Sequence, residues 1–242
     1  KNIFNILKIE DKFIYISGET RTNIKIVDNK NKTVTDINQS GFDISSVELA
    51  ELEKVLFSKK EASWYVFSGS LPKGISSDIY EQWIEKAHKL GIKVALDASG
   101  DALSSALKSK PNLIKPNHIE LSQIAAKDLT EISEFIAYSN KLIEDGIETI
   151  CVSMGEKGAL LIKKDEVYHS IPSKVDVNTT VGAGDAMLSG LILSEINEFS
   201  AMKSIKLATA YSMSAVETIG PYLSSKEKIE EYCDGVKIIS LK

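Results

Sequence analysis

The stretch with the clearest chemical potential is Thr179-Thr180-Val181-Gly182-Ala183-Gly184-Asp185, followed by Ala186-Met187-Leu188-Ser189-Gly190-Leu191-Ile192-Leu193, a helical run apolar almost all round. Small residues at a helix start leave the N–H groups of Gly182, Ala183 and Gly184 open to an anion, and the helix dipole favours negative charge there. Asp185 brings a carboxylate to the same place, where it would repel a bound phosphate unless it served a purpose. Taking a proton from a hydroxyl that attacks a phosphoryl group held by those N–H groups is such a purpose. The plainer alternative is a capping Asp with glycines that permit close packing. No Gly-Lys-Ser/Thr follows any glycine loop, so a nucleotide held here is not held by a P-loop.

Other stretches could serve the same chemistry, each with a bland alternative. Ser153-Met154-Gly155-Glu156-Lys157-Gly158 has two glycines that allow a tight turn against a nucleotide, or that merely shape a hairpin. In Lys115-Pro116-Asn117-His118-Ile119-Glu120, Asn117 and Glu120 fall three apart on one side of a starting helix. They could reach a hydrated magnesium ion and phosphates, or form a capping box. Ser68-Gly69-Ser70-Leu71-Pro72-Lys73-Gly74 places small polar residues where a sugar could lie, or is a Pro-Gly turn. Asp97 at a strand end is a second carboxylate candidate. Arg21, in Glu19-Thr20-Arg21-Thr22-Asn23, could clamp a phosphate bidentately, or be an ordinary surface Arg. With His88, His118 and His169 scattered and no Cys beside them, a zinc site is not expected.

These loops need elements to position them. Residues 12–17, 23–27 and 33–37 alternate or are β-branched, with a turn at Asp28-Asn29-Lys30-Asn31, and predict a small antiparallel ribbon. From about residue 45, helical stretches near 46–58, 79–90, 118–127 and 131–145 alternate with strands at 64–67, 92–96, 113–115 and 149–154. A hairpin across Lys163-Lys164-Asp165 and helices near 183–196, 200–217 and 225–233 complete the pattern. Such alternation predicts an α/β fold with a mainly parallel sheet covered on both faces. Ligands then bind at the carboxyl ends of the strands, where the loops above lie.

Composition agrees with a globular chain: 242 residues, 43% hydrophobic and 26% charged, room for a sizeable core. A net charge of −5 with scattered basic residues argues against nucleic acid. No apolar run suits a membrane span, and Cys151 and Cys233 are too few for a disulfide framework, which fits a cytoplasmic protein.

Taken together and in this order, the stretches resemble the ribokinase-type (PfkB) carbohydrate kinases. Val181 to Asp185 matches that family's C-terminal signature, Lys115 to Glu120 its Asn-x-x-Glu motif, and Ser153 to Gly158 its nucleotide loop. Gly18 to Lys25, Thr33 to Asn38 with Ser40-Gly41-Phe42, and Ser68 to Pro72 resemble the phosphosugar branch. The resemblance covers essentially the whole chain. It implies a ribokinase-like α/β fold, with residues 1–40 part of a small β lid and 41–242 the core with its nucleotide site. The activity it implies is transfer of the ATP γ-phosphoryl group to the C6 hydroxyl of fructose 1-phosphate. Tagatose 6-phosphate is the alternative acceptor, and a non-catalytic nucleotide-binding fragment is the alternative of another class.

The resemblance also implies residue roles. Asp185 would be the base, with the N–H groups of Gly182, Ala183 and Gly184 stabilising the moving charge. Lys115, Asn117, Ser153, Met154, Gly155, Glu156, Lys157, Gly158, Thr180 and Val181 would bind ATP. Asn117 and Glu120 would organise Mg2+ through water and phosphate. Arg21, Ser68, Gly69 and Ser70, with Asp185, would hold the phosphosugar, and the β lid would pair two subunits as a homodimer. Family members begin with a strand carrying Asn-Pro and a substrate-binding Asp, then a Gly-Gly-Lys-Gly-type sugar loop. Both are absent from a chain whose first residue is Lys. The expectation is a chain short by about a quarter of a family member, lacking N-terminal strands and exposing a sheet edge.

Overall fold

The computed structural model describes residues 2–18, 20–28, 33–39, 41–58, 61–218 and 222–242. The chain divides into two compact units, Lys1–Glu61 with Leu71–Ser77, and Ala62–Ser70 with Asp78–Lys242.

The first unit holds α1 (Asn2–Ile6), β1 (Asn23–Asp28), β2 (Thr33–Asn38) and α2 (Ser46–Leu56). The strands pair antiparallel from Asn23↔Asn38 to Asp28↔Thr33. Residues 29–31 of the expected turn lie outside the described residues, as do Glu19 and Ser40. Ile24 and Ile26 share one face of the ribbon by the two-residue period, and Ile37 joins them opposite Ile24. All three remain about half exposed, at 52%, 52% and 51%. Ser45 and Glu48 form a reciprocal capping box that starts α2. The strand expected at 12–17 is not formed, and Phe13 and Tyr15 stay 57% and 68% exposed. Alternation specifies a face, not a neighbour to pair with.

The second unit contains the sheet. Its strands are β3 (Trp64–Ser68), β4 (Lys93–Asp97), β5 (Leu113–Ile114), β6 (Thr149–Ser153), β7 (Ala159–Ile162), β8 (Val167–Ile171) and β9 (Lys237–Ser240), lying side by side in that order. The pairs from β3 to β6 are parallel and those from β6 to β9 antiparallel. β8, twice reversed, runs with β3 to β6, so the sheet is mainly parallel. β3 is an outer strand, with Val66 47% exposed.

Successive residues of β4 to β7 face opposite sides, and both sides are buried. Ala95, Leu113, Cys151, Ala159 and Leu161 pack against Met187, Leu188 and Leu191 of α7 (Ala183–Ile196) and Ala201, Ile205 and Ala208 of α8 (Ala201–Glu217). Val94, Leu96, Ile114, Ile150, Val152, Leu160 and Ile162, the intervening positions, are also buried. On their side lie α3 (Ile79–Lys89), α4 (Gly100–Ala106), α5 (His118–Ile124) and α6 (Ile132–Glu144). α9 (Lys226–Gly235) packs on α8. Burial pushes the Cys151 thiol up to about 12, an inert core position, and both cysteines are free. No helix among the described residues is long and apolar enough to cross a membrane.

Two elements of the second unit have no counterpart in the sequence pattern. α4 starts on a glycine and spans seven residues, and β9 is four residues carrying two apolar side chains. Neither is long enough for a period to show. Helices α7 and α8 meet closely at Gly190 of α7, where a β-carbon would sit 2.8 Å from the Ala208 Cα. Gly190→Ala is expected to cost about 1–3 kcal/mol, measured by urea unfolding, because two buried helices must separate to admit a methyl group.

Candidate active site

Four parallel strands end at one side of the sheet; the predicted loops at 68–74, 115–120 and 153–158 leave them, and the one at 179–185 leads into the helix that packs on the sheet. Ser68 pairs with Asp97 in register, the Lys115 N–H donates to Leu96, and Asn117 forms a bridge with Ser153. Residues far apart in sequence thus become neighbours through strand register alone.

At the centre is the start of α7. Gly182 is its N-cap in a left-handed conformation, φ 82°. Nothing crowds a side chain there, so the backbone angle alone calls for glycine. Asp185 is the third helical residue, and the Ser68 hydroxyl donates to its Oδ1 at 3.3 Å. Beneath Gly184 lies a buried ion pair. Lys115 Nζ is 3.0 Å from Asp97 Oδ2, with the two side chains 5% and 16% exposed. A β-carbon on Gly184 would come within 3.1 Å of that ammonium. Burial raises the Asp97 carboxyl above its ordinary range, against the pull of Lys115 and with a push from Asp185. Burial likewise raises Glu120, against its bond from the Asn117 N–H and the attraction of Lys115. One cation and three carboxylates therefore share a small region.

Lys115→Met would leave Asp97 buried without its partner, and is expected to destabilise the fold by about 3 kcal/mol at pH 7. The Asp97 carboxyl, already raised in the folded chain, would rise further. A folded-state value above the unfolded one favours folding at low pH, so the loss shrinks as pH falls through it. Urea unfolding of both proteins at pH 7 and pH 5 measures this; an equal difference at both would assign the loss to something other than Asp97.

The Asn117 and Glu120 side chains form the reciprocal capping box of α5: Oδ1 accepts from the Ile119 and Glu120 N–H groups at 2.9 Å, and Glu120 Oε2 accepts from the Asn117 N–H at 2.9 Å. The cap occupies the only side-chain oxygen of Asn117 and one of the two carboxylate oxygens of Glu120. Among the described residues no group of three His, Cys, Asp or Glu side chains could hold a metal ion.

The Ser153–Gly158 loop turns through a short 3-10 segment, Gly155–Lys157, closed by the Met154 N–H on the Gly158 carbonyl at 2.8 Å. His169 Nε2 donates to the Lys157 carbonyl at 2.8 Å and pins the loop to β8. A cavity of about 930 Å³ opens between this loop and α7. Ser153, Gly155, Glu156, Gly158, Thr180, Ala183 and Gly184 line it, so the two glycine motifs meet across one space. Met154 is buried in the core and Val181 is 63% exposed, and neither lines the cavity, nor do Lys115, Asn117 and Lys157. Arg21 lies in the first unit, exposed, with its Cδ packed near Gly41.

Sequence reasoning missed the rest of the wall, Pro172 to Val177 and the α8 residues Thr209, Ser212, Met213, Val216 and Glu217. Nothing local marks them, since the α8 side chains read as ordinary core periodicity. Their placement follows from bonds made only in the fold: the Asn178 and Thr179 N–H groups both donate to the Val216 carbonyl, at 2.8 and 3.1 Å.

Comparison with known proteins adds to this geometry. Residues 3–228 match the model of the pfkB family of carbohydrate kinases. The chain is 35% identical to a 1-phosphofructokinase of Haemophilus influenzae, over 100% of this chain and 78% of that protein. It is 33% identical to a 1-phosphofructokinase of Vibrio cholerae, over 99% and 75%. Among solved structures it superposes on Escherichia coli phosphofructokinase-2 in complex with substrates and products with a TM-score of 0.81, at 27% identity over 88% of this chain and 69% of that one.

Proposed function

Because the chain belongs to the pfkB family of carbohydrate kinases, we propose that it transfers the γ-phosphoryl group of ATP to the C6 hydroxyl of fructose 1-phosphate, giving fructose 1,6-bisphosphate. The observation that carries this reading is the start of α7. A carboxylate stands there beside open N–H groups, with a cavity of about 930 Å³ against the same turn. Phosphoryl transfer needs mainly positioning and charge stabilisation.

Asp185 accepts the proton of the C6 hydroxyl as its oxygen bonds to the γ-phosphorus. The bond from that phosphorus to the β,γ-bridging oxygen breaks, and ADP leaves with the electron pair. The N–H groups of Gly182, Ala183 and Gly184 hold the transferring group, and the Lys115 ammonium beneath Gly184 adds positive charge on the same side. Ser153, Gly155, Glu156, Gly158 and Thr180 bound the space for the rest of ATP, with Asn117, Met154, Lys157 and Val181 fixing the loops around it. Gly69, Ser70 and Arg21 are assigned to the phosphosugar, with Ser68 beside them on the Asp185 carboxylate.

A Mg2+ ion held by protein ligands alone does not suit the site, but one carried on phosphates and water does, since such ions keep several waters and need only one or two carboxylates. Glu120 would face its water shell, Asn117 would offer its amide N–H groups to phosphate, and the ion would neutralise phosphate charge. The exposed isoleucine face of the β1–β2 ribbon supports pairing of two copies through it. Ile26→Lys should then yield a monomer in sedimentation, and an unchanged mass would reject the interface.

A coupled ADP-release assay tests the function. Turnover should be higher with fructose 1-phosphate than with tagatose 6-phosphate. The reverse order would reassign the substrate, and ATP binding without ADP release would make the chain a nucleotide-binding module.

A further inference from the structure

Several described helices carry an acidic residue at their third position, and in α2, α5 and α6 it does the same thing. Glu48, Glu120 and Glu134 each turn back to the backbone of their own N-cap residue. This is the expected behaviour, because a carboxylate there is drawn to the free N–H groups of its own first turn. Where it does otherwise, a donor from another element has captured it. Glu81 of α3 accepts from the Ser105 hydroxyl and pairs with Lys108. Asp185 of α7 accepts at Oδ1 from Ser68 on β3, 117 residues away in sequence.

The hydroxyl that holds Asp185 is itself held. Ser68 ends β3, in register with Asp97 of β4. The next residue, Gly69, has φ 102°, donates its N–H to the Asp97 carbonyl at 2.9 Å, and accepts from the Tyr80 hydroxyl at 3.1 Å. Tyr80 is buried and stacked on Phe67 at 5.7 Å between ring centroids. Gly69, the residue directly after Ser68, is therefore held on both of its peptide groups, by the Asp97 carbonyl on one side and the buried Tyr80 on the other. At 3.3 Å the bond to Asp185 is long, as catalytic hydrogen bonds often are before substrate binds.

We propose that Ser68, fixed through Gly69 by Tyr80, is a positioning residue that keeps the Asp185 carboxylate turned away from the N–H groups of its own helix. Released, the carboxylate would fold back as Glu48, Glu120 and Glu134 do, filling the anion site it should serve and losing its aim at the acceptor hydroxyl. This rests on the kinase reading for its consequence but not for its geometry, and it gives Ser68 a task other than contacting sugar.

Carbon-13 NMR of protein labelled at the Asp side-chain carboxyl tests the geometry without turnover, with the Asp185 signal assigned by its loss in Asp185→Asn. Ser68→Ala should move that signal in the ligand-free chain, Tyr80→Phe should move it in the same direction by less, and Ser68→Thr should leave it near its original place. An Asp185 signal unmoved by Ser68→Ala overturns the proposal, whether or not the chain proves to be a kinase. In the ADP-release assay, Ser68→Ala should lower kcat about tenfold, the scale of one hydrogen bond to a charged group, with the KM for fructose 1-phosphate essentially unchanged. The same substitution in an Asp185→Asn background should cost nothing further. A rise in KM alone, or an undiminished loss in that background, would make Ser68 a sugar contact and overturn the positioning role.

Discussion

Asp185→Asn is expected to lower kcat by roughly 10² to 10⁴-fold, the range of a lost general base, while nucleotide affinity is kept or improved. The substitution preserves shape and removes the negative charge and proton-accepting power together. Asp185 shares its surroundings with Asp97, whose carboxyl is raised partly by Asp185's charge. Neutralising Asp185 therefore lessens the repulsion of phosphate at the start of α7. Loss of turnover with retained ATP binding, followed by ADP release and calorimetry, is the signature of a base. Turnover near that of the unaltered protein would remove Asp185 from the chemistry.

The second large effect is expected at Gly158. Its backbone has φ 87° and ψ −140°, which side-chain-bearing residues rarely adopt, and a β-carbon would lie 1.8 Å from the Ser170 carbonyl oxygen. Backbone cannot swing aside as a side chain does, and β8 is fixed on both edges by β7 and β9. Gly158→Ala should therefore cost about 3 kcal/mol or more in urea unfolding, combining backbone strain with a steric clash. It should also weaken ATP binding, because the loop lines the cavity. Gly155, left-handed at φ 60° but with open space around it, makes the internal contrast. Gly155→Ala should cost only about 1 kcal/mol. Equal losses at the two positions would refute the close approach to Ser170.

The contrast between these glycines marks what the sequence can and cannot reveal. Both stand out as turn formers, and so do Gly182 and Gly184, because a glycine at a strand end or helix start adds nothing to packing or propensity and so points to a backbone requirement. Which of them is crowded depends on β8 and on the Lys115–Asp97 pair, which no local pattern announces. The helices at 183–196 and 200–217 are legible because they are long unbroken runs, the first apolar almost all round, whereas seven-residue α4 and four-residue β9 are too short to show a pattern. Asn117 and Glu120 are legible in two ways at once, as a cap and as an ion-facing pair. The cap is formed, and it holds both side chains at the carboxyl end of the sheet. Tyr80 is invisible as anything but core, because its hydroxyl acts on a carbonyl brought near only by the fold.

Phosphoryl transfer from ATP to the C6 hydroxyl of fructose 1-phosphate, by the carboxyl-end site around Asp185, is tested most directly by phosphorus-31 NMR of the chain incubated with ATP, Mg2+ and fructose 1-phosphate. A new C6 phosphomonoester signal should grow in step with ADP, and should be absent with Asp185→Asn. Bound ATP with no new phosphomonoester, or ADP accompanied only by inorganic phosphate, would contradict the proposed reaction.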